Sequence, residues 1–210
     1  MPAARVKRFS AIERRFLASL RIAEETASAA LRVNTGRRRL ESTLHEAGFM
    51  HAFLAWEQFL EETFLGYMMG QRPISGRAPH RYYTPPNSAS AWNFLREMTG
   101  RRPYVDWTNP SEIVDRAKVV FRNGGCFLKL PAQNQILQEM KKVRNAISHN
   151  SDDAREKFEA LVRQKLTTLP TGCTPGRFLG TTNPSANPPC TFLDTYLDVL
   201  KQLAKDILRP

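Results

Sequence analysis

"GFMHAFLAWEQFLEETFLGYMM", residues 48–69, decides the class of fold. It carries no proline and no run of β-branched residues, and its apolar side chains fall on nearly every side of a helix. Such a segment is buried on all flanks, so it reads as the central helix of a bundle. The helical pattern extends back to about residue 37, which makes this element roughly 50 Å long at about 1.5 Å per residue.

Around it the chain is rich in amphipathic helices. Ile12, Phe16, Leu20, Ala23, Ala27 and Leu31 repeat at a helical period from Phe9 to about residue 33, and Asn34 and Gly36 then suit a helix end. Residues 70–110 differ, being dense in Gly, Pro, Arg and Tyr, with one short helical patch from Trp92 to Met98; they read as a loop insertion. Pro110 opens a further helix that stops at Asn123-Gly124-Gly125, and Pro131 opens the next, through His149. SDDAREKFEALVRQKL follows, with Asp152 and Asp153 placed for a helix N-terminus.

Residues 167–191 hold five prolines and no apolar period, and read as a linker or surface excursion. A last helix, with Leu193, Leu197, Leu200, Ala204 and Ile207 on one face, is expected to pack back on the bundle. The fold class is all-α. The expected organisation is a bundle over 1–166, a linker over 167–191 and a C-terminal helix over 192–210.

Composition narrows the function. The net charge is +11 with a pI near 10.0, unevenly laid down: residues 1–39 carry +7, residues 40–70 carry −5, and the remainder +9. A basic surface of this kind attracts polyanions, nucleic acid above all. Three scattered cysteines match neither a disulfide framework nor a zinc spacing, and the basic N-terminus lacks an apolar signal region. A cytoplasmic protein without a membrane span is therefore expected.

The chemistry concentrates in KKVRNAISHN, residues 141–150. On this helix Ile136, Met140, Val143 and Ile147 form the apolar stripe, and Lys142, Asn145 and His149 form an outward polar row. On a straight helix Arg144 lies about 140° from His149, so the helix alone does not bring them together. Two arrangements would. Either the helix ends before His149 and the ring swings back, as the capping sequence NSDD suggests, or a second copy packs antiparallel and completes a shared pocket. The second accounts better for the outward row. Histidine, arginine and asparagine around one phosphodiester can bind it and move protons without a metal.

Arg144-Asn145-Ala146-Ile147-Ser148-His149 resembles the Rx4–6H motif of the HEPN superfamily. Arg38 and Arg39 before His45 fit the same spacing. What singles out Arg144 is its context: a long helix with FLAWEQFLEE (Phe53 to Glu62), an interrupting loop, then MKKVRNAISHN on a late helix. That order is similar to the RiboL-PSP-HEPN and MAE-type subgroups and covers about residues 10–166.

The resemblance implies a HEPN-like helical bundle acting as a homodimeric, metal-independent endoribonuclease. Such proteins are often toxins or antiphage effectors, working beside an antitoxin or defence-system partner. His149 would act as general base or acid, Arg144 would hold the non-bridging oxygens, and Asn145 would position the phosphate. The products would be a 2′,3′-cyclic phosphate and a 5′-hydroxyl. Glu57, in the apolar run AWEQF, is the expected supporting carboxylate for Arg144, with Glu61 as the other choice. Lys141 and Lys142 are the expected RNA contacts.

No cofactor is implied, and His45 and His51, six residues apart on one helix, point in different directions and make a poor metal site. Tyr82 and Tyr83, flanked by Arg77, His80 and Arg81, suit either base stacking or pinning of the loop. Two other classes compete: a HEPN-like module that binds RNA, nucleotide or protein without cutting, and a basic DNA-binding regulator, which lacks a helix-turn-helix pair.

Overall fold

The computed structural model describes residues 7–32, 38–98 and 105–210. The helix break expected at Asn34 and Gly36 lies outside them. The described residues form eight α-helices: α1 (Phe9–Arg32), α2 (Arg38–Met68), α3 (Ser88–Glu97), α4 (Pro110–Val120), α5 (Asn134–Ser148), α6 (Asp152–Leu166), α7 (Pro175–Gly180) and α8 (Phe192–Leu208). No strand occurs among them, only isolated bridges between Arg81 and Phe121 and between Thr182 and Thr191. The all-α expectation is met. No helix among the described residues is long and apolar enough to cross a membrane.

Two compact units make up the fold. One comprises, in their described parts, Met1–Phe16, Trp56–Leu137 and Lys201–Pro210; the other comprises Leu17–Ala55 and Gln138–Leu200.

In the first unit the C-terminal half of α2 is enclosed as its sequence demanded, with Phe59, Leu60, Phe64, Tyr67 and Met68 all buried. The ring of Phe64 lies 4.8 Å from that of Phe127, and Phe9 lies 4.5 Å from Tyr67. Tyr67 can be buried because its hydroxyl donates to the Ile207 carbonyl at 2.6 Å. Ion pairs from Arg15 to Glu62 and from Arg209 to Glu13 tie the rim. Positive φ at Asn123 (53°), Gly124 (73°) and Gly125 (57°) ends the α4 region, the conformation those residue types favour. Pro131 does not open α5. It sits in 3₁₀ turns over Arg122–Gln133, and its carbonyl receives the Asn134 N–H at the start of the helix.

In the second unit Leu20, Ala23, Phe49, Phe53, Met140, Val143, Phe158 and Leu161 are buried. Gly48 permits a close helix crossing, since a Cβ there would come 2.9 Å from the Ala23 carbonyl oxygen. On α5, Met140 and Val143 form the apolar stripe, with Ile136 and Ile147 at its half-buried ends. Buried Glu139 is held by Lys165 at 2.7 Å. The stripe of α8 is buried in full, as expected.

Residues 167–191 correct the linker reading. They contain α7, whose Phe178 and Leu179 are fully buried, Phe178 stacking on Phe192 at 4.3 Å. A two-residue apolar pair has no period to read, so its burial depends on a contact far away in sequence. Gly176 supplies it: a Cβ there would come 2.0 Å from the Ser42 carbonyl oxygen, so only glycine lets the chain seat so closely on α2.

The described part of the 70–110 insertion is also ordered by aromatics. Tyr83 stacks on Phe94 at 4.3 Å and so pins the loop, whereas Tyr82 is 63% exposed. The pinning reading is thus met by Tyr83, while Tyr82 stays exposed.

Candidate functional site

The α5–α6 connection builds the site. Ser151 caps α6 by accepting the Ala154 N–H, and Asp152 and Asp153 occupy the first turn, where acids suit the helix dipole. The cap requires extended backbone at Ser151, so α5 must stop, and it does so at Ser148. The His149 amide still donates to the Asn145 carbonyl at 2.8 Å, which holds the residue against the helix end while its side chain turns back.

The result is a contact that straight-helix geometry does not allow. Arg144 Nη1 lies 3.2 Å from His149 Nε2 and 3.2 Å from Asn145 Oδ1. A guanidinium can only donate, so Nε2 accepts and a neutral imidazole here carries its proton on Nδ1. The first of the two arrangements is therefore realised within one chain, and a second copy is not needed for Arg144 and His149 to meet. Arg144, Asn145 and His149 form one cluster.

The guanidinium is only partly committed. Arg144 enters no ion pair with a described residue, and its Nε is enclosed without a hydrogen-bond partner. Leaving a buried N–H unmade costs about 1–3 kcal/mol. His149 is exposed, as the outward row required, while Asn145 and Lys142 are half-buried. Lys141 is half-buried on the same helix, and Glu57 is half-buried on α2 in the first unit. Beside the tip, Ser148 Oγ lies 4.0 Å from Met50 Sδ, placing the middle of α2 under it.

Elsewhere, burial dominates the titration of the interior groups. It pushes the Cys126 thiol up to about 12, opposed in part by the neighbouring Tyr67 side chain, and raises Tyr67 and Tyr196 above the ordinary phenol range. Glu61 is raised by burial first and by neighbouring Glu62 second, with the Trp107 hydrogen bond opposing. No group of three or more His, Cys, Asp or Glu suited to a metal occurs among the described residues. Comparison with protein families, with curated proteins and with solved structures returns no match.

Sequence reasoning missed one feature. His45 is 3% exposed and faces a cavity that also takes in α7, a segment read as linker. The signal was present in the arginine spacing before His45.

Proposed function

We propose that the chain is a metal-independent endoribonuclease of HEPN type, acting as a toxin or defence effector beside an antitoxin or defence-system partner. The observation that carries this reading is the Arg144–His149 contact of 3.2 Å at the tip of α5, with Asn145 on the same guanidinium. The net charge of +11 supplies attraction for RNA.

In the mechanism, a phosphodiester displaces His149 from Arg144. The guanidinium then binds two non-bridging oxygens, the planar bidentate role to which arginine is suited. Nε2, freed from the guanidinium, takes the proton of the ribose 2′-hydroxyl as its oxygen attacks phosphorus. The P–O5′ bond breaks, and the departing oxygen receives a proton from an acid. Charge on the pentacoordinate phosphorus oxygens is offset by Arg144 and by the Asn145 amide N–H group. The products are a 2′,3′-cyclic phosphate and a 5′-hydroxyl. A homodimer would supply a second imidazole as that acid, which one chain with a single histidine at the tip does not.

A non-cutting RNA-binding module is the second reading, favoured by exposed Tyr82 beside His80 at 6.0 Å. Purified protein incubated with mixed RNA in EDTA separates the two, with His149→Ala and Arg144→Ala alongside. Chelator-resistant cleavage leaving cyclic phosphate, lost in both variants, supports the enzyme. RNA retained intact by all three proteins refutes it.

A further inference from the structure

The second match to the arginine–histidine spacing, Arg38 before His45, is also a site in space. Arg38, Ser42 and His45 on α2 face Arg177 and Gly180 of the α7 segment around a cavity of about 230 Å³. All of it lies within the second unit.

The imidazole of His45 is the informative group. It is 3% exposed, and its Nδ1 lies 3.1 Å from the Glu41 carbonyl oxygen. A carbonyl only accepts, so Nδ1 carries the proton and Nε2 presents a bare lone pair. Nε2 has no hydrogen-bond partner among the described residues and borders the cavity. Gly180 packs its backbone close to the ring, where a Cβ would come 2.7 Å from His45 Cε1 and 3.0 Å from Nε2. An acceptor nitrogen on a residue of the cavity wall suits a ligand that can donate a proton to it.

The rest of the lining calls for an anion. Arg177 Nη1 donates to the Gly172 carbonyl at 2.8 Å and to the Thr171 carbonyl at 3.4 Å, which leaves the hydrogens on Nη2 and Nε, and Arg38 has no ion pair with a described residue. The hydroxyls are not donors to spare. Ser42 is shared between Thr174 Oγ1 at 2.6 Å and Glu46, and Thr181 donates to the Arg177 carbonyl at 2.8 Å. Glu46 is itself occupied by the Gly176 N–H at 2.9 Å.

Two arginines thus line the cavity beside one carboxylate residue, Glu41. The surplus is a single positive charge, which suits a singly or doubly charged ion better than a triphosphate. The volume agrees, lying below the roughly 300–1,000 Å³ of ordinary ligand pockets.

We infer that this cavity binds a compact phosphate that carries a P–OH, hydrogen phosphate or a phosphomonoester in its monoanionic form, with Arg38 and Arg177 serving its oxygens and the P–OH donated to His45 Nε2. Sulfate has the same shape and charge but no proton to donate at neutral pH, so the site discriminates against it. The site is separate from the α5 tip in residues and does not depend on RNA cleavage.

The test is titration of the full-length protein with inorganic phosphate, ribose 5-phosphate and sulfate. The ring resonances of His45 and His149 are followed separately by NMR, with His45→Gln providing the assignment. A saturable His45 shift with inorganic phosphate or ribose 5-phosphate is expected, and tighter binding of the latter shows that the cavity also takes the sugar.

Arg38→Gln, at an exposed position, is expected to weaken binding by about tenfold or more, the scale of one charge-assisted hydrogen bond. Arg39→Gln, on the same turn but outside the lining, leaves it unchanged. The inference is overturned if the His45 resonance does not saturate, if Arg39→Gln weakens binding as much as Arg38→Gln, or if sulfate binds as tightly as phosphate. A shift of His149 alone overturns it too, since that places the anion at the α5 tip.

Discussion

Replacing Arg144 by methionine separates a residue kept for a ligand from one kept for the fold. The substitution removes two hydrogen bonds, to Asn145 Oδ1 and His149 Nε2, both at 3.2 Å and so at the long end of the range. Together they contribute about 1–3 kcal/mol. It also removes the enclosed Nε that has no partner, relieving a similar cost of about 1–3 kcal/mol, and methionine fills the stem's volume. The two effects cancel to within about 1 kcal/mol, which for a chain of this size is a Tm shift of about 4 °C or less.

Met140→Ala, one turn earlier on α5 and 1% exposed, sets the scale of a structural loss. It is expected to cost about 2–5 kcal/mol. Calorimetry on both variants, with RNA cleavage on the same samples, completes the test. Arg144→Met should keep its Tm while losing cleavage by about a hundredfold or more, as removal of a charge-stabilising donor does. A fall in Tm comparable to that of Met140→Ala would refute the reasoning, because Arg144 would then be a structural residue.

Further outcomes follow from particular residues. Phe178→Ala, emptying a fully buried position against Phe192, should cost about 3–5 kcal/mol in urea unfolding; a linker residue would cost almost nothing. Tyr82→Ala should weaken binding of single-stranded RNA by about 1–3 kcal/mol in a fluorescence titration, whereas Tyr83→Ala, stacked on Phe94, should act on stability instead.

The raised Cys126 thiol gives a signed pH dependence. Its folded value, about 12, lies above the unfolded one near 8.5, so the stability it contributes is intact below that lower value. Above it the unfolded chain binds fewer protons, and stability falls by about 1.4 kcal/mol per pH unit until the folded thiol ionises. Urea midpoints measured across this alkaline window should decline less steeply in Cys126→Ala.

Local chemistry alone determined the helical class of this protein. The apolar saturation of residues 48–69, the period of α1 and α8, the stop at Asn123-Gly124-Gly125 and the cap at Ser151 each act over a few residues, where the side chains concerned are neighbours in the chain. Arg144, Asn145 and His149 were legible as candidates for the same reason.

The tertiary structure decided the rest, because the deciding contacts join distant positions or depend on how an element ends. Arg144 and His149 meet only because the cap of α6 halts α5 at Ser148. Phe178 is core only because Gly176 can approach Ser42, 134 residues earlier in the chain. His45 faces a cavity only because that same seating brings Arg177 and Gly180 to α2. A periodicity reports which face of a helix is apolar; what that face meets is fixed by packing between segments that sequence spacing does not relate.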